Sequence, residues 1–199
     1  MGKKIVPRCG RCESKECRNG KDCFSQASNH KQLYHQDNEI AELHKAASAI
    51  EGRYYGKETR LGEIILFAEE LRCKRVGLAF CIGLGEEAKI VEEILSKHFE
   101  VVSVCCKVCG IDKKDFDLPQ ISPDNNEVMC NPAGQGQLLN DAKTQLNIIC
   151  GLCVGHDAIF SKVSKAPVTT LIAKDRVLAH NPAAAVYCQY IRKGFNKNT

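Results

Sequence analysis

No stretch of this 199-residue chain reaches the roughly 18 consecutive apolar residues of a membrane span. No apolar run follows the basic opening Met1–Pro7, so a secretory signal peptide is not expected. The myristoylation pattern fails as well, because Val6 stands where Ser or Thr is required. There is no internal repeat and no low-complexity tract. The formal charge of +4 is small and all of its excess lies in residues 1–24, which hold seven basic against three acidic side chains. Phe24 is the only aromatic residue inside or beside that basic segment. Gripping single strands needs several stacking rings, so nucleic acid is not the expected partner. These absences lead to a cytoplasmic protein with no membrane partner.

What the chain does have is cysteine. Thirteen thiols are a high and odd number. In a reducing compartment thiols stay free, and clusters of them serve metal binding or redox chemistry rather than a disulfide framework. Four fall in the first 30 residues as Cys9-x2-Cys12-x4-Cys17-x5-Cys23. So short a segment cannot bury a core of its own, and a bound ion would supply the missing folding energy. Four thiolates suit a closed zinc site or an iron–sulfur cluster. The spacing is as compact as a zinc knuckle, with Cys17 where that motif carries histidine. Cys9, Cys12, Cys17 and Cys23 are therefore expected to share one metal, and residues 1–30 to form a module ahead of a domain spanning 31–199.

An apolar fraction of 44% provides for a true core in that domain. Helices are expected from Asp37 and after Thr59, a plausible N-cap. Arg75–Phe80 and Glu100–Val104 read as strands flanking a helix over Glu86–His98. A helix over Gly134–Leu146 then leads to a third strand, Asn147–Leu152. A short helix over Asp157–Ser164 precedes a fourth, Pro167–Ala173. Val177–Ala179 offers a fifth, and a last helix runs from Asn181-Pro182 to Tyr190. Alternating strands and helices predict an α/β fold, an open parallel sheet of four to five strands in the Rossmann-like order 2-1-3-4. The connection 110–133, with Pro119 and Pro123, is long for a compact domain, and such connections are usually functional or disordered.

Several strand ends carry cysteine: Cys81, Cys105, Cys106, Cys109, Cys130 and Cys153, the last followed by His156. Parallel strands place their C-terminal ends on one edge, where ligands of open α/β sheets bind. Cys73, Cys150 and Cys188 lie in or against regular elements and read as core thiols. Cys106-x2-Cys109 and Cys153-x2-His156 sit in glycine-flanked turns instead. Cys106, Cys109, Cys130 and Cys153 are thus expected to converge on a second zinc ion or iron–sulfur cluster, with iron–sulfur slightly preferred. His156 reads as a ligand, a hydrogen-bond partner or a cap. Gly83-x-Gly85-x-x-Ala88 follows a strand, but Glu86 and Glu87 stand where a pyrophosphate would dock, so it reads as turn chemistry. Lys174-Asp175-Arg176 reads as a solvated charged turn.

Read together, several runs resemble an uncharacterised family of cysteine-rich, metal-binding proteins of archaea and anaerobic bacteria. They are the four-cysteine opening, Ala79-Phe-Cys81-Ile-Gly83-Leu, Val104-Cys-Cys106-Lys-Val, Cys130-Asn-Pro132, Gly151-Leu-Cys153-Val-Gly-His156-Asp157, Ala166-Pro-Val-Thr169 and Lys174-Asp-Arg-Val-Leu178. The chain departs from that pattern at Phe24, where proline is expected after the last N-terminal cysteine. The resemblance implies metal binding and no particular reaction. The expected function is therefore a metal-binding protein with cysteine-ligated centres, acting in redox chemistry or metal handling on an unidentified protein or small molecule. Two alternatives stay open. One is a zinc-stabilised module that binds nucleic acid or protein. The other is a thiol-dependent enzyme using Cys153 with His156, since a reactive thiol needs a nearby base.

Overall fold

A computed structural model describes residues 6–122 and 124–195. The first five residues of the expected N-terminal module and Pro123 of the long connection lie outside the described residues. The described chain divides into two compact units, the first ending at Arg53 and the second beginning at Tyr54.

The first unit opens with two short 3-10 turns, Cys9–Arg11 and Glu16–Asn19. Helix α1 follows at Ala27–Gln36 and α2 at Asn38–Tyr54. Asp22 ties the turns to α1: its carboxylate accepts from the backbone N–H groups of Phe24 at 3.2 Å and Ala27 at 2.8 Å. Those donors, that of Ala27 foremost, hold the Asp22 carboxyl below its ordinary range. The α1 segment carries a polar sequence without an apolar stripe, which is why sequence periodicity does not announce it.

The second unit is an α/β sandwich. Helix α3 spans Arg60–Glu70, and Thr59 caps it as expected, its Oγ1 accepting from the Gly62 N–H at 3.2 Å. Strand β1 is Arg75–Phe80, α4 Gly85–Leu95, β2 Glu100–Cys105 and α5 Pro132–Asp141. Then come β3 at Leu146–Cys150, α6 at His156–Val163 and β4 at Val168–Ile172. The sheet is all parallel, in the order β2-β1-β3-β4. Val177–Ala179 makes a turn rather than a fifth strand, with Ala179 at φ 49°. The C-terminal helix is broken into α7, Ala183–Tyr187, and α8, Gln189–Lys193, by extended backbone at Cys188.

Burial explains the strand sequences. β1 and β3 lie between neighbours and under helices, and every residue of β3 is buried. A central parallel strand is covered on both faces, so it reads as a continuous apolar run. Each such Val, Leu or Ile contributes about 1.5–3 kcal/mol. Gly77 of β1 is required by close approach, because a Cβ there would stand 2.1 Å from Asn147 Oδ1 and 2.7 Å from a Leu139 methyl. Asn147 is itself buried and satisfied by Thr144 Oγ1 at 2.7 Å and Ser164 Oγ at 2.8 Å. The chain leaves β1 toward β2 on one side and returns to β3 on the other. The sheet's switch point, and the crevice it opens, therefore lies beyond the C-terminal ends of β1 and β3.

Candidate thiol centre at the sheet edge

Three backbone links fix the strand ends. The Cys106 N–H donates to Phe80 O at 2.8 Å, the Cys81 N–H to Cys150 O at 3.2 Å, and the Gly151 N–H to Ile172 O at 2.8 Å. The ladder thus continues one residue past the strands and sets Cys81 and Cys106 in adjacent, buried positions. The long connection returns to the same place. The Asn131 N–H donates to Cys106 O at 2.7 Å, and Cys130 Sγ comes within 3.8 Å of Cys106 Sγ. Asn131 also caps α5, accepting from the Gly134 N–H at 2.8 Å, with Pro132 in the first turn. The connection itself is pinned as a small antiparallel excursion. Asp112 bridges Val128, the Met129 N–H donates to Ile111 O at 2.8 Å, and Lys113 pairs with Glu127 at 2.6 Å.

The electrostatics differ from thiol to thiol. Burial pushes the Cys106 thiol up to about 12, and the proximity of Cys130 and Cys81 adds to the rise; the Ile82 N–H, 3.3 Å from its sulfur, works the other way. Cys81 is buried too, which raises its pKa, but Lys174 Nζ lies 2.9 Å from its sulfur. That ammonium, the Gly83 N–H and a hydrogen bond with Cys106 outweigh burial and hold Cys81 below an ordinary thiol. Cys150 is pushed up to about 11 and Cys73 is also raised, both by burial first, as expected of core thiols, whereas Cys188, read with them, is exposed at the break in the C-terminal helix. Cys153 is half-buried, and Arg176 Nη2 lies 2.8 Å from its sulfur.

Lys174 and Arg176 are thus not a solvated turn: each places its cation on a thiol. Asp175 builds the turn that presents them, accepting from the Val177 N–H at 3.0 Å and the Leu178 N–H at 2.9 Å. The sequence signal was a pair of cations after a strand that lies beside one ending in cysteine, but which cysteine each would meet depends on the register. That register shifts between Ile149 and Cys150, leaving an extra residue in β4, a bulge that bends the strand.

Of the four thiols expected to converge, the structure brings Cys106 and Cys130 together. Cys153 meets Arg176, and Cys109 sits exposed in a turn at φ 70°. His156 opens α6, and its contact with Cys153 is a backbone one, the His156 N–H donating to Cys153 O at 2.9 Å. Burial first, then the cations of Lys107 and Arg176, lower the His156 pKa. Among the described residues no three His, Cys, Asp or Glu side chains are grouped so as to hold a metal ion. In the N-terminal unit Cys9, Cys12, Cys17 and Cys23 are all exposed. The Cys9–Arg11 turn folds the Cys12 N–H onto Cys9 O at 3.2 Å. The Lys15 N–H, then Ser14 Oγ at 3.6 Å, hold the Cys12 thiol below its ordinary value.

Residues 18–171 match the family described as "Protein of unknown function (DUF1847)". An archaeal relative, the "Uncharacterized protein MJ0455" of Methanocaldococcus jannaschii, is 51% identical over 186 residues, which is 94% of this chain and 96% of the relative. No solved structure matches the chain. The matched span takes in β1, β2, β3 and all of β4 but Ile172, together with Cys81, Cys106, Cys109, Cys130 and Cys153.

Proposed function

The chain belongs to the DUF1847 family of proteins of unknown function, and from that premise we propose that it is a metal-binding protein whose sheet-edge thiols handle a soft ion. The observation that carries this reading is the 3.8 Å separation of the Cys106 and Cys130 sulfurs. Two thiolates on one tetrahedral zinc, each about 2.3 Å from the metal, stand about 3.8 Å apart. In a cubane each cysteine binds a different iron and the sulfurs lie farther apart, so the separation favours a single zinc or iron ion over the cubane cluster. Cys81 is the nearest candidate for a third ligand, already in hydrogen-bond contact with Cys106. A fourth position would be open, as in sites that pass an ion onward or use it in chemistry. Lys174 would surrender Cys81 as the ion arrives. Because ligand thiols must lose their protons, binding would release them.

The N-terminal set Cys9, Cys12, Cys17 and Cys23 is proposed as a separate zinc or iron–sulfur site of structural kind. Its support is the two-turn backbone and the hydrogen bonds that favour the Cys12 thiolate. The two sites separate in one experiment, anaerobic titration of the reduced chain with Co2+, followed by its visible thiolate bands and by metal analysis. Cys106→Ser and Cys130→Ser should each lose the same equivalent, and Cys12→Ser a different one, while Cys73→Ser loses none. Full stoichiometry in the Cys106→Ser/Cys130→Ser double variant overturns the sheet-edge site.

A further inference from the structure

The same two thiols carry a second chemistry that needs no ion. We infer that Cys106 and Cys130 form a reversible dithiol–disulfide couple that exchanges with low-molecular-weight disulfides. The inference rests on the geometry of the pair and not on the metal reading.

Three observations lead to it. The sulfurs are 3.8 Å apart, and a disulfide closes at about 2.05 Å, a gap that side-chain rotation can span. The backbones are tied beside the pair by the Asn131 N–H to Cys106 O bond of 2.7 Å, so closure asks for no long backbone travel. The two thiols also differ in access: Cys130 is half-buried, whereas Cys106 is 2% exposed. A disulfide arriving from solvent meets Cys130 first, which sets the order of events.

The steps balance as follows. The Cys130 thiol attacks a small disulfide RSSR; a bond forms between Cys130 Sγ and one RS group, the S–S bond breaks, and one RSH leaves with the Cys130 proton. The Cys106 thiol then attacks Cys130 Sγ, forming the protein disulfide and releasing the second RSH with the Cys106 proton. Two protein thiols are oxidised by two electrons and one RSSR is reduced to two RSH. The Ile82 N–H, 3.3 Å from Cys106 Sγ, supports the charge on that sulfur as it attacks. The closed bond would clamp the whole connection between residues 106 and 130 onto the end of β2, and an external dithiol would reopen it.

The test uses the full chain, reduced and stripped of metal by a chelator under argon, then equilibrated with mixtures of oxidised and reduced glutathione. Free thiols are trapped by alkylation and disulfides mapped on unreduced peptides, because the exposed N-terminal cysteines will also oxidise. The expected result is a Cys106–Cys130 cross-linked peptide that disappears on adding a dithiol and persists in a Cys109→Ser chain. Cys106→Ser should trap Cys130 as a glutathione mixed disulfide, and Cys130→Ser should leave Cys106 reduced. If a serine variant fails to fold by circular dichroism, the unsubstituted chain alone decides: Cys106 remaining alkylatable while other cysteines oxidise overturns the proposal. So does a cross-link from Cys106 to any other cysteine, or a Cys106→Ser chain with no glutathione on Cys130. Because no metal is present, failure here leaves the Co2+ titration standing, and failure of that titration leaves this couple standing.

Discussion

Gln135 is a fully buried amide one turn into α5. Its Nε2 donates to Val104 O at 2.6 Å and Phe80 O at 3.1 Å, carbonyls of the second-last residue of β2 and the last residue of β1. Those two acceptors fix which way the amide points, and its Oε1 is left buried without a partner among the described residues. Two opposing costs follow. Gln135→Ala opens a cavity and strips the donor from Val104 O, so it should destabilise the second unit by about 2–4 kcal/mol. Gln135→Leu strips the same donor but fills the space and removes the orphan oxygen, so it should cost less. Urea denaturation of the two variants checks the order; equal losses would show that the donor, not the volume, decides. His156 supplies a pH effect. Its folded pKa is lowered, so from about pH 6.5 downward the unfolded chain takes up a proton that the folded chain refuses. Stability should therefore fall as pH drops through that window and be unaffected above it. A His156→Gln chain should show a shallower fall in thermal midpoint between pH 7 and pH 5.

Among the elements, the strands and the connection contrast most. The apolar runs of β1 and β3 were legible because a doubly covered strand tolerates little else. Their parallel pairing was legible because strands joined through helices need a crossover connection. The excursion between β2 and α5 was not legible. It is pinned by one bridge, one ion pair and a few backbone bonds among charged residues, with no alternation to mark it. The break between α7 and α8 was hidden too, since Cys188 is neither proline nor glycine. Lys113 both pairs with Glu127 and donates to Pro119 O at 2.9 Å, and its ammonium is the first cause of the lowered Glu127 pKa. Lys113→Met should thus speed limited proteolysis within residues 114–126 while leaving the sheet's amide protection unchanged. Cleavage at the unsubstituted rate would mean that the backbone bonds alone hold the excursion.

Across the whole molecule, the two units depend on different things. The second has a continuous core from Ile64 to Phe160; the four cysteines of the first are exposed and its opening turns hold no buried residue. If the first unit holds the ion proposed for it, a chelator should accelerate hydrogen exchange over residues 9–23, leaving the amides of β1 and β3 protected. Equal exchange before and after chelation would refute a structural ion there. At this scale the sequence located the thiol edge but not its membership. Convergence of Cys106 and Cys130 follows from parallel strands and a returning connection. The cations on Cys81 and Cys153 come from the turn that follows β4, a strand whose bulge no residue pattern discloses.

Cys105 and Cys106 are neighbours in the chain, one closing β2 and one just beyond it, and Phe80 aligns with Cys105 in the ladder. Side chains alternate across a sheet, so slippage of β2 by a single step would turn every one of its side chains to the opposite face. Cys105 would then stand where Cys106 stands now, and the thiol facing Cys130 would be the wrong one. The alignment of an edge strand thus decides which of two adjacent thiols meets Cys130.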